Sequence, residues 1–389
     1  MTKIAFGKNH LYLVVLFFSY FVRRVLLILL RNIFELGNSL IFCFFMCSGQ
    51  IIGGLISYIY QRSFLIKKGK SSSRNNTIKL INNEREMNRI DSKKKILLLI
   101  FLASYFDYVE FFITSDFIPK IASLSKTAEL RLCFSMTISS SLICIYALNI
   151  KIGKHQKISL VILSICSVII IILEFIYKPK DISFGKYFVS YILLILHFIF
   201  RSFIDVIERY LGEYNFLSPF MIIMCEGIST FIMTTIYSLF HNPFQEVSDI
   251  YKTTETKNRI YSISFIFLLI LYFIFCALVN IYKTYCNIFY SPMHKSLASY
   301  FLNSAFIIYH FSSGGDFIIN GERNYFYFFI NLFFSVIIDL SGLIYNEFFI
   351  LNFWGLSKET HQGITFRALE HEMIILNDTD DNSTEGGDN

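Results

Sequence analysis

Ten apolar runs, set apart by charges and turn residues, constrain this chain more than any other feature. They cover about 11–33, 38–60, 96–117, 131–150, 158–177, 187–207, 217–240, 260–282, 294–312 and 325–349. A helix needs about 20 apolar residues to cross a bilayer core of about 30 Å. Runs of this kind define an all-α integral membrane protein, here with about ten transmembrane helices. Apolar residues make up 54% of the 389 residues and charged residues 16%, against about 25% charge in soluble domains. That balance excludes a disordered chain, a coiled coil and a soluble nucleic-acid-binding domain. The first run is the weakest, because Arg23 and Arg24 sit inside it. All five prolines (Pro119, Pro179, Pro219, Pro243 and Pro292) fall between runs or near their ends, where a missing amide donor is tolerated.

Charge sets the orientation. With ten spans, the termini and the loops after even-numbered spans share one side. That side holds 21 Lys/Arg and the other 10, counting Arg131 and Lys295 with the span ends they open. Basic loops remain cytoplasmic, so both termini and the basic loop 61–95 are expected in the cytoplasm. The sequons at Asn75, Asn377 and Asn382 then lie on the cytoplasmic side and are expected to stay unglycosylated. An endomembrane, Golgi or ER, is the expected location. The domain map has an N-terminal tail 1–10, a first five-helix unit 11–178, a second unit 186–356, and an acidic tail 357–389. Within the last, 364–376 can form a short amphipathic helix.

A weak internal repeat links spans four and nine. Span four opens with Arg131, is rich in hydroxyls (Ser135, Thr137, Ser139, Ser140, Ser141) and ends near Gly153-Lys154-His155. Span nine opens with Lys295, carries Ser296, Ser299, Asn303 and Ser304, and ends near Gly321-Glu322-Arg323. Units five spans apart have opposite orientation, as in many secondary transporters.

Charges inside the spans are the candidate site residues, since each costs about 2.5–3.5 kcal/mol to insert. Asp107 and Glu110, i and i+3 in span three, share one helical face. They form either a substrate or proton site or a salt bridge to another helix. Arg201 and Asp205, one turn apart in span six, are expected to form an intrahelical ion pair, with His197 a turn earlier. Arg131 and Lys295 either snorkel to headgroups or point inward and hold an anion. Asn280, Tyr300, Asn303 and Gln50 are candidate hydrogen-bonding groups along a pathway. Gly49 and Gly53 form a GxxxG suited to close helix packing. The eight cysteines show no disulfide or metal spacing, no cofactor or metal site is expected, and no enzyme motif is present.

The same residues resemble the drug/metabolite transporter superfamily, in particular its nucleotide-sugar-transporter-like branch, solute carrier family 35. Gly321-Glu322-Arg323 is similar to that superfamily's Gly-Glu-Arg turn, of which Gly153-Lys154-His155 keeps only the glycine. Asp107 and Arg131 fall where similar proteins carry an acid and an arginine. Glu208-Arg209-Tyr210, Ser218-Pro219-Phe220 and Glu226-Gly227 resemble the junction of spans six and seven. Lys295 matches a lysine opening span nine, and Tyr345-Asn346-Glu347 resembles the end of span ten. The resemblance covers about 38–356. It implies ten helices in two inverted five-helix repeats, a central substrate site and alternating access. The chain departs from the pattern in the arginines of its first span and in lacking the Gly-Ala-Leu-Asn-Lys nucleotide-binding motif. The expected function is a secondary transporter of a small polar metabolite, with nucleotide sugars among the candidates. The expected partners are a small-molecule substrate and lipids, without nucleic acid, and a homodimer is one candidate assembly. The alternative is a non-transporting membrane scaffold or receptor of the same fold. Convergence of the polar residues of spans three, four, eight and nine on one cavity separates the two.

Overall fold

The computed structural model describes residues 11–34, 36, 39–68, 93–121, 128–150, 152–178, 182–213, 215, 217–240, 245, 247–252, 259–289, 292–312, 317–319, 322–349 and 360. The tail 1–10, most of 61–95, the segment 364–376 and the acids of the C-terminal tail therefore lie outside the described residues.

The described residues are almost wholly helical. The principal helices are α1 (Leu11–Phe34), α2 (Ser39–Lys68), α3 (Lys93–Phe112), α4 (Phe134–Leu148), α5 (Lys154–Ile176), α6 (Phe184–Glu213), α7 (Pro219–Ser238), α8 (Arg259–Phe289), α9 (Pro292–Ser312) and α10 (Tyr325–Tyr345). Seven of them, α1, α2, α5, α6, α7, α8 and α10, are long and apolar enough to cross a membrane. The others have identifiable reasons. α3 opens with Lys93, Lys94 and Lys95 and carries Asp107 and Glu110. α4 has only 15 residues, because the expected span is interrupted by turn residues after the short helix Ala128–Arg131. α9 is diluted by polar residues such as Lys295, Asn303 and His310. Residues 61–68 and 93–95, expected in the basic loop, belong instead to α2 and α3.

Local chemistry sets the helix ends. Asn149 takes a left-handed φ of 51° after α4, a conformation that asparagine tolerates. Gly153 then opens α5 in extended backbone, and its N–H donates to the Gln156 side chain at 2.9 Å. Pro219 starts α7, where its missing donor costs nothing. The Asn324 side chain accepts from the Tyr327 N–H at 2.8 Å and caps α10. Before it, Ile318–Ile319 and Glu322–Arg323 form a two-residue antiparallel ladder.

The burial pattern is that of a protein in lipid. Leu97, Leu98 and Phe101 on α3, and Val161, Ile165, Val168 and Ile172 on α5, face outward. Many polar groups face inward, among them Asp205, Glu208, Lys283, Asn287 and Lys295. In water, apolar faces of this kind would drive aggregation.

The helices pack in a defined set of pairs: α2 with α7, α1 with α8, α2 with α8, α4 with α6, α5 with α10, α3 with α6, α9 with α10, α3 with α7, and α1 with α9. Glycines allow the closest crossings. A Cβ on Gly49 would lie 3.0 Å from the Ala277 backbone on α8, and one on Gly227 would lie 2.8 Å from Gln50 on α2. At the opposite ends of the bundle from the 68/93 connection, α5, α6 and α10 meet on one buried carboxylate. Tyr191 and Tyr327 each donate to Glu174 at 2.8 Å, and Tyr187 does so at 3.3 Å.

Candidate functional site

A cavity of about 230 Å³ lies between α1, α2, α3, α6, α8 and α9. Its wall runs along α1 from Tyr20 through Arg23, Arg24 and Leu27 to Arg31, and along α3 from Asp107 to Phe111 and on to Thr114 in the π-helical turn Ile113–Phe117 that follows. Phe42 and Met46 near the start of α2 contribute, as does Glu129 ahead of α4. These positions place the cavity in the half of the bundle that holds the α1–α2 and α3–α4 connections. Ser299 and Lys295 of α9 join the wall from the other half.

Ionic pairs between helices organise the wall. Arg201 of α6 reaches Asp107 at 3.2 Å and Glu110 at 3.1 Å on α3. One guanidinium can serve both because the carboxylates stand on one helical face. Gln50 donates to the other Asp107 oxygen at 3.3 Å, and His197 Nδ1 lies 3.7 Å from Glu110. Nearer the mouth, Arg24 donates to Glu129 at 2.9 Å. Arg23 stands over the Tyr20 ring and Arg31 over the Phe42 ring, each 5.4 Å from the ring centre.

Beyond the cavity, in the half that holds the α6–α7 and α8–α9 connections, a buried polar network joins three helices. Lys295 of α9 pairs with Asp205 of α6. Lys283 of α8 pairs with Glu208 of α6 at 2.9 Å. Asn287 donates to both acids, at 3.1 Å to Asp205 and 2.5 Å to Glu208. None of the four charged side chains is more than 2% exposed. Two cations and two acids balance, as burial in a low-dielectric interior requires.

The ion pair expected between Arg201 and Asp205 does not form. Each side chain has a stronger partner across a helix interface, Asp107 and Glu110 for Arg201 and Lys295 for Asp205. The expected anion contact Lys295 lines the cavity, but its ammonium is committed to Asp205. Asn280 also lines it, with its amide donating to the Cys276 carbonyl at 3.0 Å. Tyr300 and Asn303 are buried outside the lining. Tyr300 donates to Thr137, and Asn303 donates to Ser335 at 3.1 Å. Gln50 is buried behind Asp107 rather than in the wall. The Arg131 side chain lies outside the described residues.

Sequence reasoning missed the arginines of α1. Arg23 and Arg24 make the first run a poor span in the sequence, yet both line the cavity together with Arg31. The readable signal was that Arg24 and Arg31, seven residues apart, fall on one helical face of an otherwise apolar run. Lys283 with Glu208 was missed because the partners are distant in sequence. Among the described residues no group of His, Cys, Asp and Glu is placed to hold a metal ion. Compared with protein-family models and with curated proteins, the sequence matches none.

Proposed function

We propose that the chain is a secondary membrane transporter that moves a small polar metabolite by alternating access. The observation that carries this reading is an ion-lined cavity in one half of the bundle, with a network of buried ion pairs in the other half. An occluded seal on one side and a wet chamber on the other is what one state of an alternating carrier needs.

The strongest helix pairings support the inverted-repeat architecture, while the α6–α8, α7–α8 and α8–α9 contacts have no comparable counterpart among the described residues. Adding five to each helix number turns α1–α8 into α6–α3, α2–α8 into α7–α3, α4–α6 into α9–α1, and α9–α10 into α4–α5; each of these pairs is in contact. The pairs α2–α7, α4–α9 and α5–α10 map onto themselves and are also in contact. A dyad in the membrane plane produces this permutation, and an odd offset inverts one half against the other. On this reading all ten helices span the membrane, α4 lying short within the bundle, and both termini are cytoplasmic. The resemblance to the nucleotide-sugar-transporter-like branch of the drug/metabolite transporter superfamily points the same way.

Convergence of polar residues of three of the four named spans, α3, α8 and α9, on one cavity through Asp107, Glu110, Asn280 and Lys295 favours transport over the scaffold reading, while α4 contributes only Met136 to the wall. The test is exchange by purified protein in liposomes preloaded with nucleoside monophosphates, against a panel of nucleotide sugars and sugar phosphates. The expected result is saturable, protein-dependent uptake of at least one solute. Uptake no faster than in protein-free liposomes for every solute would contradict the proposal.

A further inference from the structure

We infer that the cavity carries an oxyanion subsite made by Arg23 and Arg31 of α1, and that the substrate is a soluble organic anion held there through phosphate or carboxylate oxygens. The word substrate rests on the carrier reading; the subsite does not.

The inference comes from assigning every charge in the wall. Arg201 is shared by Asp107 and Glu110, Arg24 is matched by Glu129, and Lys295 is matched by Asp205. Arg23 and Arg31 are left without a carboxylate in contact, and because Arg201 serves two carboxylates the wall carries one cation in excess. Neither has a carboxylate within 4.0 Å among the described residues. The other close neighbours of Arg23, Tyr272 and Cys276, are side chains that carry no charge at neutral pH. The carboxylates of the α3 wall, by contrast, accept from two donors, the Arg201 guanidinium and the Gln50 amide.

Geometry fits the role. Both guanidinium groups lie against aromatic rings, Tyr20 and Phe42. A ring under its face holds the guanidinium plane and leaves the N–H edge to grip an oxyanion. Both arginines line the cavity, and eight residues at 1.5 Å per residue separate them by about 12 Å along α1. A ligand entering past Arg31 thus meets a second cation deeper in. An unbalanced cation within a membrane span is costly and marks a partner or a pathway. An anionic ligand is the missing partner.

The test is binding by the purified full chain in neutral detergent, read as the thermal midpoint. Inorganic phosphate and citrate are compared with chloride at matched ionic strength. Phosphate or citrate is expected to raise the midpoint by at least about 3 °C over chloride. The double variant Arg23→Gln with Arg31→Gln should lose that rise. Arg23→Lys with Arg31→Lys should keep part of it, which guards against a fold defect in the glutamine variant. Arg209→Gln, at an exposed pair with Glu213, should respond like the native chain. Equal midpoints in all three salts, or an unchanged response in the double glutamine variant, would overturn the inference. So would a rise seen only when phosphatidylserine is added, since the ligand would then be a lipid headgroup. Arginine-dependent binding without exchange in liposomes sinks the carrier reading alone. Exchange of uncharged or cationic solutes that survives the double glutamine substitution sinks this inference alone.

Discussion

Lys295→Ala is expected to lower the stability of the folded protein by about 3–5 kcal/mol, the usual effect of removing one partner from a buried ion pair. The variant leaves the buried Asp205 carboxylate without its cation, and among the described residues the Asn287 amide, at 3.1 Å, is the donor that remains. Neighbouring Lys283 cannot relieve it without abandoning Glu208, which it holds at 2.9 Å. The double substitution Lys295→Met with Asp205→Leu should recover most of the loss, because an apolar pair of similar volume replaces a balanced buried pair at little cost. Thermal midpoints in detergent for the native chain, the single variant and the double variant check both statements. A single variant as stable as the native chain would mean that Asp205 is hydrated, and the half of the bundle described as sealed would be open.

Arg201→Gln is the second large effect. It removes the cation shared by Asp107 and Glu110 at 3.2 and 3.1 Å. Two carboxylates one helical turn apart then stand in the cavity wall with the Gln50 amide donating to Asp107 at 3.3 Å. Repulsion and lost hydrogen bonds of about 3–5 kcal/mol follow. The expectation is a fall in exchange of at least about 100-fold, the factor that some 2.7 kcal/mol produces. Arg201→Lys should recover part of the activity, since one nitrogen, Nη1, makes the contacts to both carboxylates and a single ammonium keeps that charge on a shorter side chain. Initial rates of exchange in liposomes, at equal amounts of inserted protein, check this. Native rates in the glutamine variant would mean that the α3 carboxylates do not depend on Arg201.

These two variants also mark what the sequence could and could not reveal. The helices were legible because each apolar run ends at a charge or a turn residue. Gly153 opens α5, Pro219 opens α7 and Asn324 caps α10, all near the expected boundaries. The interruption ahead of α4 was not legible, because the run from Leu132 to Ile150 holds no charge, Pro or Gly, and its Ser and Thr residues are compatible with a continuous helix. Side-chain partners were mostly illegible. Arg201 and Asp205 stand one turn apart and looked like a pair, but helix packing brings α3 to one and α9 to the other. Asp107 and Glu110 were legible as a face and as a salt-bridging candidate, not as partners of Arg201. The α1 arginines were read as a weakness of the span, since a sequence shows the cost of a buried charge before it shows the cavity that compensates it.

The central claim is that one chamber faces alternate sides of the membrane. Its most direct test compares two single substitutions in proteoliposomes, Thr114→Cys in the cavity wall and Thr284→Cys beside the buried network. The native chain serves as the blank, as seven of its eight cysteines are buried. A membrane-impermeant thiol reagent is applied from each face, with and without transported solute. The account predicts that Thr114→Cys reacts from one face only and Thr284→Cys from the opposite face only, and that solute changes the two rates in opposite directions. Labelling of both positions from the same face, or rates that solute leaves unchanged at both, would contradict it.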